Sequence, residues 1–176
     1  LLDGKYQGCV VNSLHQITSS NPAKFSISLN KSNETFKAIE AAGSFAATVL
    51  ERETPKELVD LFGYKSGRVV DKFEGLQVET DGAGNPYVKD HALARISCKI
   101  VDKLDLGSYM LYVCEATEAE VLGEGPAMTV DDYRNGGGAT PPTATVVRIM
   151  EENIGWRCTG WGYVAGKGAL PAGYQC

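Results

Sequence analysis

The stretch from Ala94 to Ala116 constrains the fold most strongly. Ala94, Ile96, Cys98 and Ile100 alternate with Arg95, Ser97 and Lys99, the period-two pattern of a strand with one buried face. A turn at Asp105 to Ser108 follows, and Tyr109 to Ala116 returns as the second arm of an antiparallel hairpin. Ala119 to Leu122 adds further strand.

Lys24 to Asn30 alternates in the same way, with Phe25, Ile27 and Leu29 on one face and Ser26, Ser28 and Asn30 on the other. Cys9 to Ser13 is expected to begin a strand, and Asn12, Leu14, Gln16 and Thr18 share one side if the chain stays extended. Phe45 to Leu50 reads as a short buried strand and Thr143 to Ile149 as a final one. Ser32 or Asn33 can cap a helix running to Ala42, with Gly43 as its stop. Thr54-Pro55-Lys56-Glu57 has the form of a capping box with proline at the first helical position, and that helix should end at Gly63. Tyr64 to Phe73 is polar and glycine-interrupted, a surface loop. Asp81-Gly82 and Asn85-Pro86 mark turns. Strands outnumber helices, so the expected class is mainly β (α+β), an antiparallel barrel with a few short helices.

At 176 residues and 43% hydrophobic, the chain can bury one good core. Its net charge of -5, with both signs interspersed, leaves no basic stripe to neutralise phosphates, which argues against nucleic acid as a partner. Apolar runs are shorter than a membrane span and nothing reads as a signal peptide, so no membrane partner is expected. The five cysteines are scattered, with Cys98 and Cys114 in strand-like runs as small buried hydrophobes. That usage points to a reducing, cytoplasmic setting.

Candidate binding residues concentrate between Gly8 and Thr35. Asn12, Ser13, Gln16, Thr18 and Ser19 could hydrogen-bond the carbonyls and nitrogens of a flat ring system, or form an ordinary polar turn. Asn30, Lys31, Asn33 and Thr35 stand at a helix start, where backbone N–H groups and one lysine can hold a phosphate. Plain helix capping uses the same residue types. In the Tyr64–Phe73 loop, Arg68 and Lys72 could add charge for a phosphate or simply be solvated. There is no P-loop, no nucleophile elbow and no His-Glu-x-x-His pair. His15 and His91 lack neighbours at metal spacing, so no metal ligand is assigned.

Near the C-terminus, Cys158-Thr159-Gly160-Trp161-Gly162-Tyr163 resembles the first knuckle of a rubredoxin, C-x-x-C-G-Y, with Trp161 at the second cysteine position. Leu170 to Cys176 resembles the approach to the second knuckle. An iron–tetrathiolate centre needs four thiolates and this stretch supplies Cys158 and Cys176, so no iron is expected.

Taken in order, G-C-V-V-N-S-x-x-Q-x-T-S, S-x-N-K-x-N-x-T-x-x-x-I, F-A-x-x-V-L and F-G-Y-K-S-G-R-x-V-D-K-F resemble the flavin reductase-like proteins. More narrowly, the pattern resembles the flavoredoxin and high-molecular-weight rubredoxin type. The likeness runs from about Gly8 to Met128, with the degenerate rubredoxin-like tail beyond. It implies an FMN-binding split β-barrel, normally a homodimer with flavin near the interface, FMN being favoured over FAD. It implies an NAD(P)H-flavin oxidoreductase that passes electrons from a reduced nicotinamide or protein donor through the flavin to an acceptor. The alternatives are a non-catalytic electron-carrier module and an inactive truncated homologue. Asn12, Ser13, Gln16, Thr18 and Ser19 would lie near the ring and ribityl chain. Asn30, Lys31, Asn33 and Thr35 would lie near the ribityl–phosphate end, joined by Lys72. Relatives of this type carry a further helix and strand before Gly8-Cys9, and many carry a histidine where this chain has Tyr109. The implied division is a split barrel over 1–134, a linker with a possible final strand over 135–153, and a rubredoxin-like module over 154–176.

Overall fold

The alternations at Lys24–Asn30 and Ala94–Ala116 become three adjoining strands of one sheet. The computed structural model describes residues 4–137. The chain divides into two units, Leu1–Gly138 and Ala139–Cys176. The expected strand at Thr143 to Ile149, most of the linker and the rubredoxin-like residues lie outside the described residues.

In chain order the elements are β1 (His15–Gln16), β2 (Lys24–Asn30), α1 (Glu34–Ala42), β3 (Ser44–Leu50) and α2 (Lys56–Tyr64). They continue with β4 (Val78–Thr80), β5 (Pro86–Val88), β6 (Ala92–Asp105), β7 (Tyr109–Val121) and α3 (Val130–Asn135). Five strands form one sheet in the order β1-β2-β7-β6-β3, every neighbouring pair antiparallel. β4 and β5 form a separate two-stranded ribbon. The mainly antiparallel architecture with few helices is therefore the expected one.

The register of β2 on β7 sets Ile27 opposite Tyr112 and Leu29 opposite Met110. These four join Ile39, Phe45, Cys98 and Cys114 in the buried core, with Phe36 of α1 packed on it. Burying an aliphatic or aromatic side chain of this size contributes about 1.5–3 kcal/mol each. Cys98 and Cys114 are wholly enclosed, and burial pushes their thiols up to about 11 and about 12. They behave as core atoms, as the sequence implies. Gly43 ends α1 in the left-handed region at φ 68°, and its N–H donates to the Ile39 carbonyl at 2.8 Å.

Several local expectations are overturned by other hydrogen-bond partners. Cys9 to Ser13 forms no strand; only His15–Gln16 pairs with β2. Ser13 Oγ instead donates to the Ser28 carbonyl at 3.1 Å and accepts from the Ser28 N–H at 3.2 Å, so its side chain takes the place of a ladder bond. The Thr54 capping box does not form: the Thr54 hydroxyl donates to the Glu51 carbonyl at 2.6 Å and Pro55 is the residue that precedes α2. The helix also runs through Gly63 to Tyr64. A capping box does form between Thr129 and Asp132 at the start of α3.

Arg95 and Ser97, on the face read as polar, are buried at 7% and 1% exposure. Arg95 donates to Ser97 Oγ at 2.8 Å, to Glu118 at 2.7 Å and to Glu120 at 3.2 Å, and its guanidinium lies 5.0 Å from the Tyr87 ring centroid. The β4–β5 ribbon covers Arg95 and Ser97, and the Arg95 charge is met there by two partly solvated carboxylates.

Candidate functional site

The turn between β2 and α1 is built by Asn30, whose Oδ1 accepts from the Ser32 N–H at 2.9 Å and from the Ser32 hydroxyl at 2.8 Å. The Asn33 N–H donates to the Asn30 carbonyl at 3.1 Å, and the Lys31 N–H donates to the Ser108 carbonyl at 2.9 Å. Asn33 then stands at the N-cap of α1 in extended backbone, and its side chain makes no cap bond. The first N–H groups of α1 are thereby presented at a cleft.

That cleft, of about 210 Å3, is walled by Gln7 and Cys9 on one segment and by Ser32 to Thr35 at the helix start. Phe62 to Gly67 and Lys72 complete it. The loop after α2 is pinned there by aromatic packing. Phe62 and Phe73 meet edge to face with centroids 5.2 Å apart, and Gly8 lets both rings approach its backbone. The expectation of a surface loop is right for its exposed middle, but Lys72 is only 6% exposed.

Lys72 Nζ donates to the Gly8 carbonyl at 2.9 Å and the Phe62 carbonyl at 3.0 Å, and lies 5.9 Å from the Phe62 ring centroid. Among the described residues it has no carboxylate partner. Burial pulls its pKa below the ordinary lysine value, while Cys9 pulls it back up. Burial likewise raises the Cys9 thiol, opposed by a hydrogen bond from Thr35 and by the charge of Lys72. A third ammonium N–H and a helix N-terminus make a donor set suited to an anion, while the Ser32 hydroxyl is already given to Asn30 and that of Thr35 to Cys9.

Of the residues expected from sequence, the fold brings Asn33, Thr35 and Lys72 to this cleft. Asn30 shapes its turn. Lys31 is drawn aside into an ion pair with Asp105. The earlier group lies apart from the cleft walls. Ser13 is bound to β2, Gln16 Nε2 donates to the Thr18 carbonyl at 2.8 Å, and Thr18 Oγ1 accepts from the Lys24 N–H at 2.9 Å. Asn12 and Ser19 are exposed on the same segment. Arg68 is engaged by Glu34. Sequence reasoning missed Gln7, Cys9 and Glu34 as cleft residues; the glycine at position 8, tolerating two aromatic rings, was the available sign of a close approach there.

An antiparallel sheet with an anion-suited cleft at the first helix defines a small β-rich binding domain rather than a nucleotide-binding α/β fold. The flavin reductase-like domain family matches residues 2–137. The chain belongs to that family, and it is a flavin-linked oxidoreductase. It is 39% identical over 145 residues to the ferric-chelate reductase (NAD(P)H) of Archaeoglobus fulgidus, covering 82% of this chain and 85% of that protein. It is 37% identical over 149 residues to the high molecular weight rubredoxin of Moorella thermoacetica, covering 84% of this chain and 65% of that one. The flavoredoxin of Methanosarcina acetivorans shares the fold at a TM-score of 0.63 and 22% identity, over 76% of this chain and 72% of that chain. Among the described residues no helix is long and apolar enough to cross a membrane, and no three His, Cys, Asp or Glu side chains are grouped to hold a metal.

Proposed function

We propose that the cleft at the start of α1 takes the phosphate of FMN, and that the protein passes electrons from a reduced nicotinamide through the flavin to an acceptor. The observation that carries this is the buried Lys72 ammonium, without a carboxylate partner among the described residues, beside the free N–H groups of α1. Asn33, Thr35 and Lys72 bind the phosphate directly, and Asn30 and Lys31 hold the turn that presents them. Asn12, Ser13, Gln16, Thr18 and Ser19 face the ring and ribityl chain from the segment before β2. Bound flavin supplies the two-electron chemistry, and the protein supplies position, charge and exclusion of water.

A homodimer completes the site in this reading. Val101, Leu104 and Leu106 at the far end of the β6–β7 hairpin are 43%, 58% and 52% exposed, an apolar end that a second copy would cover. The donor is taken to be that named for the Archaeoglobus relative, NAD(P)H. A cytoplasmic setting agrees with the unpaired, enclosed thiols of Cys98 and Cys114. The deciding experiment is the absorption spectrum of freshly purified protein followed by an NADH-consumption assay with FMN. Flavin bands and turnover are expected; a colourless protein that fails to quench FMN fluorescence would overturn the proposal. Bound flavin without turnover would leave an electron carrier instead.

A further inference from the structure

Glu34 is the one carboxylate among the described residues that line the cleft. It occupies the first turn of α1, and its side chain is 10% exposed. Its Oε1 accepts from Arg68 Nε at 2.5 Å and from Lys37 Nζ at 2.9 Å. Arg68 stands on the loop after α2, outside the lining residues, and is 63% exposed. An anion at a helix N-terminus, gripped by a guanidinium, is also the arrangement a bound phosphate would adopt.

We propose that Glu34 is a built-in competitor for the positive groups of this cleft, a specificity-determining residue that sets how tightly a phosphorylated flavin is held. The inference rests on the reading that the cleft takes the FMN phosphate. A phosphate dianion entering there meets Lys65 and Lys72, but also the Glu34 carboxylate, whose charge Arg68 offsets from the adjoining loop. Like-charge repulsion within one cleft lowers affinity for the phosphorylated ligand alone; riboflavin, which has no phosphate, is indifferent to it. The protein thus holds FMN as an exchangeable ligand rather than a permanent one.

The test is fluorescence titration of the whole chain with FMN and with riboflavin. Glu34→Gln keeps the side-chain shape and removes its charge; FMN should bind about tenfold tighter, with riboflavin within about twofold of wild type. Glu34→Asp retains the charge and should leave the FMN preference near that of wild type. Arg68→Ala should weaken FMN about tenfold and spare riboflavin. If Glu34→Gln fails to fold, as judged by its thermal midpoint, Glu34→Ser carries the same expectation as a neutral residue tolerated near a helix start. Weaker or unchanged FMN binding in the neutral variant, or equal shifts for FMN and riboflavin, would overturn the proposal. Wild-type protein that binds neither flavin would instead remove the flavin site itself. Equal wild-type affinity for FMN and riboflavin would keep the flavin and remove its phosphate, and Glu34's role, from the cleft.

Discussion

Lys72 Nζ donates to the Gly8 carbonyl at 2.9 Å, joining positions 64 residues apart in sequence across the cleft floor. One side chain therefore ties the loop after α2 to the segment before β1 and puts a positive charge where the proposed phosphate lies. It does so at the cost of burying an ammonium, which is why function and stability are coupled at this residue.

Lys72→Met should separate the two effects. Two carbonyls, of Gly8 and Phe62, lose their donor, a loss of about 1–3 kcal/mol offset in part by relief of the buried charge. FMN affinity should fall at least about tenfold, since a charge-assisted contact is removed. Urea unfolding and FMN titration of the same preparation check both.

Gly8→Ala should loosen the aromatic wall. An added Cβ would sit 2.9 Å from Phe62 Cε1 and 3.0 Å from Phe73 Cζ, and those rings are already packed on each other. Overpacking of this kind costs about 1–3 kcal/mol. A lower thermal midpoint, with weakened FMN binding because Lys72 rides on the same loop, is the expected result.

Arg95→Met should destabilise the protein without touching flavin affinity. The change leaves Glu118 and Glu120 without their shared cation beneath the β4–β5 ribbon. Because both carboxylates are partly solvated, a loss of about 1–3 kcal/mol is expected rather than the larger figure for a sealed pair. Denaturation midpoints report the loss, and an unchanged FMN dissociation constant confirms its location.

Acid should unfold the protein through its low-pKa carboxylates, of which Asp81 is the most enclosed. Burial pushes the Asp81 carboxyl up, but hydrogen bonds from Asn85 and Ser97 and from the N–H groups of Asn85 and Ala83 outweigh it, leaving the group below 3.8. The folded state therefore binds this proton less readily than the unfolded state. Its contribution is complete above pH 3.8 and is lost as pH falls through the folded value. Asp81→Asn should lower stability by about 1–3 kcal/mol at neutral pH and flatten the acid limb below about pH 4. Denaturant midpoints measured from pH 3 to 7 check both signs.

The chain's local patterns determined its longer strands and the first helix. The Phe25-Ile27-Leu29 alternation, the turn after Asp105 and the stop at Gly43 each depend on side-chain period or backbone freedom within a few residues, and β2, the β6–β7 hairpin and α1 follow them. The ordered motifs also made the family legible. Only the tertiary structure decided where polar groups found their partners. Ser13 replaced a strand bond on Ser28, and Arg95 and Ser97 were buried by a ribbon. The site divides the same way: Asn33, Glu34 and Thr35 sit at the helix start that local sequence marks, whereas Lys72 and Cys9 reach the cleft through chain folding. Most buried polar atoms are paired wherever the partner lies, and partners 15 to 64 residues away, as for Ser13 and Lys72, leave no trace in local periodicity.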